Sequence, residues 1–264
     1  MARHNRLGRA LLVTASAPIL AFLVLPSLII IPMALTKGQI ITFPPEWISL
    51  HSFTDYLSDP DWVASTWLSF RVALFAVATA GVAGSFAAIG LHGKRFRGRS
   101  LVAGAIMAPI VVPAVLLGLG DYLLLAPLQL VGNWVALGLV HGLLVTPYIF
   151  LSVQTSLTVS LNPAQIRSAR SLGAGRASVL RHVYWPAIRP GLLSGGLFAF
   201  AVSFDEVVIS LFLQGPATVT LPVRMYTALQ YDLTPKIAAS ASLFIALALL
   251  LLLSRAWTSR RPAA

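Results

Sequence analysis

The 264-residue chain has no cysteine, only eight acidic side chains, and charged residues at just 10% of its length. Without cysteine there are no disulfides, no thiolate metal sites and no cysteine nucleophile. A soluble domain carries roughly 25% charged residues, so the scarcity of charge excludes a fold bathed mainly in water. No Walker A sequence is present, and neither is a Gly-x-Ser-x-Gly or His-Glu-x-x-His context, so the chain itself should not hydrolyse ATP or act as a hydrolase of those kinds. His141 has no second histidine at metal-ligand spacing and reads as a hydrogen-bonded structural residue. Neither a metal nor a cofactor is expected. No repeat of 20 to 50 residues and no low-complexity linker divides the chain.

What is abundant is apolar: 57% of the residues are hydrophobic, in blocks of about twenty, the length that crosses the ~30 Å of a bilayer core. The blocks are Leu11 to Met33, Ser65 to Leu91, Leu101 to Leu119, Trp134 to Leu151, Gly191 to Leu213 and Lys236 to Leu253. The first follows Arg3, Arg6 and Arg9 and contains Ala15-Ser16-Ala17, a small-residue pattern of the kind cleaved after a signal peptide. The apolar stretch continues well past it, which favours a retained signal anchor.

The net charge of +11 would suit a nucleic-acid binder, but the cations are placed as a membrane topology requires. Fifteen lie in four segments free of acid: the N-terminal tail, Lys94 to Arg99, Ser152 to Pro190, and the tail after Leu253. The alternate segments hold Glu46, Asp55, Asp59, Asp61, Asp121 and Asp232, with Lys37, Arg224 and Lys236 as their cations. The positive-inside rule then gives an all-α integral membrane protein of six transmembrane helices with both termini in the cytoplasm. No nucleic acid is expected. The reading divides the chain into residues 1–62 (tail, first helix, external loop), a core transmembrane domain at 63–254 and a cytoplasmic tail at 255–264.

Ala76, Ala80, Gly84 and Ala88 recur at steps of four in the second span, a small-residue seam for a neighbouring helix. Pro109 and Pro113 interrupt the third span, which should therefore face protein. Asp121 reads as the start of an external turn, and Trp47, Trp62, Trp67 and Trp134 as an interfacial belt. No pair of matching broken helices is evident.

The segment between spans four and five carries its own helical punctuation. Asn162 suits an N-cap, Pro163 the first helical position and Gly173 the left-handed residue past the end. A second helical pattern with Ala177, Leu180 and Tyr184 near one face follows, ended by Pro186. A helix, a break and a helix form more than a connector, and predict docking to something cytoplasmic. The stretch Arg167-Ser168-Ala169-Arg170-Ser171-Leu172-Gly173, then nine residues, then Val183-Tyr184-Trp185-Pro186, resembles the EAA loop of ABC importer permeases, written E-A-A-x-x-x-G-x9-I-x-L-P. Ser203-Phe204-Asp205-Glu206-Val207-Val208-Ile209-Ser210, Gly215-Pro216, Thr220-Leu221-Pro222 and Tyr226 resemble the spermidine/putrescine-type permeases of that family.

The resemblance implies that this loop couples to a cytoplasmic ATPase through Arg167, Ser168, Ala169, Gly173, Val183, Trp185 and Pro186. Ala169, Gly173 and Pro186 keep the motif's identities. Arg167 replaces its Glu, reversing a charge, while Ser168, Val183 and Trp185 replace its first Ala, its Ile and its Leu. It further implies an ABC ATPase dimer, a second, paralogous permease subunit, a periplasmic or lipid-anchored solute-binding protein, and a place in the bacterial inner membrane. Asp205 and Glu206 lie inside the fifth apolar block, where a carboxylate costs ~2.5 to 3.5 kcal/mol unless turned to protein or water. They read either as a pathway for a small cationic solute, with polyamine or an amino-acid-like compound implied by the family, or as a structural pair. An ion-coupled secondary transporter or channel is the alternative function.

Overall fold

The computed structural model describes residues 2–38, 40–45, 47–94 and 96–259. Glu46 and Arg95, counted above among the outer acids and inner cations, lie outside the described residues, as do residues 260–264 of the expected tail. Among the described residues the secondary structure is helical, apart from one isolated β-bridge between Thr36 and Ile48. The helices are α1 (Ala2–Met33), α2 (His51–Ser58), α3 (Pro60–Leu91), α4 (Arg99–Val111), α5 (Ala114–Leu125), α6 (Trp134–Ser160), α7 (Pro163–Ser171), α8 (Arg176–Val179), α9 (Trp185–Phe204), α10 (Val208–Leu213), α11 (Leu221–Tyr231) and α12 (Lys236–Ser259).

Four described stretches are long and apolar enough to cross a bilayer: Ser16–Met33, Pro60–Leu91, Trp134–Ser160 and Arg176–Phe204. The α4/α5 pair, bent by 104° across Val112 and Pro113, makes a fifth if it is taken as one span. The chain is a multi-pass helical membrane protein. Pro113, which cannot donate a backbone hydrogen bond, stands in extended conformation just before α5 and sets this bend. Asp121 falls within α5, where the apolar helix continues past it, and starts no turn.

The sequence pattern misplaces the fifth span. Its helix does not run from Gly191 to Leu213: it begins upstream at Arg176 and ends at Phe204. Pro186 does not stop the preceding loop helix either. A π turn at Leu180–Tyr184 lets Trp185 N–H donate to Leu180 O, and Pro186 follows at the junction of the π turn with α9 without ending the helix.

The chain forms two compact units, one from residues up to Val63 and from Met225 on, the other from Ala64–Arg224. In the second unit α3, α6 and α9 pack closely. Lipid tails are as apolar as leucine, so close van der Waals contact and interhelical hydrogen bonds, rather than escape from water, hold such helices together. Ala76, Ala80 and Ala88 are fully buried with Gly84, as the small-residue seam predicts, against Val145, Ile149, Phe150 and Val153 of α6. A Cβ on Gly84 would stand 3.1 Å from Phe150 N and 3.2 Å from Thr146 O, and one on Gly191 would run into the backbone carbonyl of Ser152. Ser156 Oγ adds a polar link, donating to Ala187 O of α9 at 2.7 Å.

In the other unit, Ser242 Oγ of α12 donates to Ile30 O of α1 at 3.4 Å. Asp59 accepts from Lys236 Nζ at 2.6 Å and from Asp61 N and Trp62 N at the start of α3. Trp62 is buried edge-on against Tyr56, so it belongs to this unit's core and leaves the expected interfacial belt to Trp47, Trp67 and Trp134, which are exposed.

Partial burial alone would raise the Asp59 carboxyl. The Lys236 hydrogen bond, the two backbone N–H groups and the ammonium charge outweigh it and hold the group below its ordinary 3.8. A carboxyl depressed by folding stabilises the native state above its unfolded value and loses that contribution as pH falls through its native value. Thermal unfolding in detergent is therefore expected to hold steady down to about pH 3.8 and weaken below it. Asp59→Asn should flatten that decline, and an unaltered profile would assign the acid sensitivity to other groups. In the other unit, Gly191→Ala forces a Cβ into backbone and should cost on the order of 1–3 kcal/mol. Gly90→Ala, which meets nothing within 4 Å, should be neutral or slightly stabilising by thermal shift.

Candidate functional site: a docking loop and a helix break

The loop after α6 is built by the residues its sequence singles out. Asn162 Oδ1 accepts from Ala164 N at 2.9 Å, and Gln165 Oε1 accepts in return from Asn162 N at 3.2 Å, a reciprocal capping box that starts α7. Pro163 takes the first turn. At the other end Gly173 adopts φ +81°, a conformation that costs glycine nothing, while Gly173 N and Ala174 N donate to Arg170 O and Ala169 O. The chain then turns through α8 and the π turn into α9.

Of the residues expected to couple, Arg167, Ser168, Gly173, Trp185 and Pro186 are exposed, and Ala169 and Val183 are half-buried. Ile166, Val183 and Tyr184 pack against the edge of the α3–α6–α9 core, so the loop is seated on these helices. The motif did not single out Leu172, yet it is 88% exposed beside Gly173, and Trp185 is 51% exposed. Arg167, Arg170, Arg176 and Arg181 are exposed around them. The loop thus offers apolar tips within a cationic surface, suited to a partner with an acidic rim and an apolar pocket.

At the far end of α9 the helix breaks. Asp205 caps it with φ −90° and ψ 1°, Glu206 and Val207 are outside regular helix, and α10 begins at Val208. The two acids therefore do not sit in an unbroken span, as their place in the apolar block suggested, but at a discontinuity. Glu206 Oε1 accepts from Ile209 N at 2.8 Å, satisfying a donor that the start of α10 would otherwise leave unpaired. Asp205 is exposed. A further discontinuity is the α4/α5 bend, whose second helix packs against α10, with Gly118 of α5 in contact with Phe212 of α10. The sequence showed the prolines of the α4/α5 bend and no signal for the break after Phe204.

His141 of α6 is buried, with Nδ1 at 3.0 Å from Ser203 Oγ and Nε2 at 3.1 Å from Ser210 Oγ. It is the hydrogen-bonded histidine the sequence suggested. Its partners, 62 and 69 residues away, were not legible. Since α9 rises ~1.5 Å per residue over its 20 residues, the docking loop and the acid-bearing break are roughly 30 Å apart at opposite ends of one helix. A groove of about 1100 Å³ runs along the outer side of α3 and α9, apolar between Val82, Phe86, Leu193 and Leu197, with Arg181 and Trp185 at its loop end.

Comparison with known proteins accounts for this arrangement. Residues 80–262 match the family described as the binding-protein-dependent transport system inner membrane component. The chain is 30% identical over 231 residues to the putrescine transport system permease protein PotI of Escherichia coli K12, covering 85% of this chain and 82% of that protein. It is 31% identical over 186 residues to the spermidine/putrescine transport system permease protein PotC of Haemophilus influenzae, covering 69% and 71%. Its fold superposes with a TM-score of 0.73 on a chain of a bacterial ABC transporter that imports alginate, at 16% identity and 99% coverage of both chains. The chain belongs to the family of inner-membrane permease components of binding-protein-dependent transport systems, and is a transport subunit of an ABC importer.

Proposed function

We propose that this subunit forms one half of the path by which an ATP-driven importer of the bacterial inner membrane carries a small cationic solute, putrescine or spermidine in the first instance. The substrate class rests on the polyamine permeases that the chain is similar to and on an exposed carboxylate, Asp205, at a break in an otherwise apolar helix. An ammonium group shed of water needs such a partner. The two helix breaks are a feature that ion-coupled carriers share, and they alone would favour that reading; family membership favours the ATP-driven one.

The observation that carries the coupling role is the loop itself: capped at both ends, standing out from the helices, and exposing Leu172 and Trp185. In this reading an ATPase dimer receives α7, with Arg167, Ser168, Ala169, Gly173, Val183, Trp185 and Pro186 at or under the contact. Arg167, with its positive charge where the family motif has Glu, calls for an acidic group on the ATPase. Nucleotide-driven closure of the ATPases would pull on the loop, and α9 would carry the displacement to the break as a rigid rod, shifting the population toward an outward-open state. A second permease subunit would complete the path, and a solute-binding protein would deliver the substrate.

The topology proposed with this reading has six spans: α1, α3, the α4/α5 pair, α6, α8 to α9, and α12, with both termini and the docking loop on the cytoplasmic side. In it residues 1–62 form the N-terminal tail, first transmembrane helix and external loop, 63–254 the transport core and 255–264 a cytoplasmic tail.

Leu172→Asp puts a charge at the centre of the contact without touching the core, and should weaken ATPase co-purification by about 30-fold, the equivalent of ~2 kcal/mol. Retained association at native levels would remove the loop from the interface. Asp205→Asn should reduce the rate of radiolabelled putrescine uptake at least tenfold. Glu206→Gln, whose amide oxygen can still accept from Ile209 N, should cost much less. Equal and small effects from both would take Asp205 out of the path.

A further inference from the structure

We propose that His141 is a positioning residue for transport: a neutral imidazole that ties the end of α9 to the start of α10 and so fixes the break that presents Asp205. The inference rests on the reading of Asp205 as a path residue.

One placement of the protons pairs all of these groups. In it Ser210 Oγ–H donates to Glu206 O at 3.0 Å. Its oxygen is then the acceptor for His141 Nε2–H at 3.1 Å. With the proton on Nε2, Nδ1 is an acceptor, and it takes the hydroxyl proton of Ser203 at 3.0 Å. The chain of donors is complete: Ser203 to His141, His141 to Ser210, Ser210 to the backbone of Glu206. All three side chains are at most 3% exposed, so water does not compete for any of them.

The placement of the three residues gives this network its purpose. Ser203 lies two residues before Asp205 and Ser210 four after Glu206, so the two hydroxyls bracket the break between α9 and α10. Backbone between two helix ends keeps its torsional freedom unless something outside it sets the distance between those ends. His141, fixed on α6 among Leu137, Val140 and Leu144, sets it from a third helix. The other end of α10 is held separately, where Leu213 O accepts from Gly132 N at 3.0 Å and Thr218 Oγ1 accepts from Gly215 N at 2.7 Å. With both ends tied, α10 and the acid ahead of it keep one position relative to α6.

The network differs from a buried polar group that serves stability alone, because its loss should alter the exposure of one side chain that it never touches. The chain has no cysteine, so Asp205→Cys introduces its sole thiol. In the assembled transporter in lipid nanodiscs, the rate at which a membrane-impermeant, positively charged methanethiosulfonate reagent modifies that thiol reports the geometry of the break, with the cysteine-free permease as background. Modification of Asp205→Cys is expected in the otherwise native chain; its absence would refute the path reading itself. Given modification, His141→Leu and the Ser203→Ala/Ser210→Ala pair are each expected to change the rate at least threefold, and His141→Gln, which keeps one donor and one acceptor, to return it within threefold of native. Rates that stay within threefold of native in the Leu and Ala variants would overturn the positioning role while leaving the path reading intact. Failure of both the Leu and the Ala variants to assemble would overturn it too, by making the network a requirement of folding.

Discussion

In a bilayer, a backbone N–H or C=O without a partner costs several kcal/mol, and no water is at hand to relieve it. An uninterrupted helix satisfies that constraint by itself. A broken one must borrow donors and acceptors from elsewhere, and among the described residues the α4/α5 bend and the α9/α10 junction are such breaks. The bonds around the break after Phe204 can be understood as a repayment of what the helix gave up: Glu206 takes the Ile209 N–H, Ser210 lies within reach of the Glu206 carbonyl, and the Thr218 side chain and the Gly132 backbone N–H complete the turn beyond α10. The residues that make the break tolerable are also those that give it a defined shape.

The same constraint explains why α9 is suited to link two distant sites. Entering through a π turn, it accommodates Pro186 without a break and then runs unbroken for 20 residues to Asp205. Close contact with α6 at Gly191 and the Ser156 to Ala187 bond hold its near half in register. In the proposed coupling, a displacement of the loop would reach the acids as motion of this packed helix.

Much of this was legible from the residues alone. Apolar blocks located the long apolar helices α1, α3 and α6, small residues at steps of four identified the face of α3 that meets α6, and Asn162, Pro163 and Gly173 marked the ends of α7. The end of the fifth span was not legible. Val207 to Leu213 is as apolar as the helix before it, and hydropathy measures transfer to lipid, not the continuity of a hydrogen-bond ladder. The π turn escaped notice for a related reason: Pro186 usually ends a helix, and only the pairing of the preceding residues shows that it does not here. The partners of His141 depend on tertiary distance, which a single sequence does not carry. Trp62 looked like an interfacial residue because tryptophan at a span's edge is common there, whereas its ring is buried against Tyr56.

The most direct test of an ATP-driven permease is uptake into proteoliposomes holding this chain with its partner permease and ATPases, supplied with the solute-binding protein outside and ATP inside. Uptake of labelled putrescine should require hydrolysable ATP and persist when protonophores and ionophores dissipate every ion gradient. Uptake that continues without ATP and collapses with the gradients would contradict the account and identify an ion-coupled carrier.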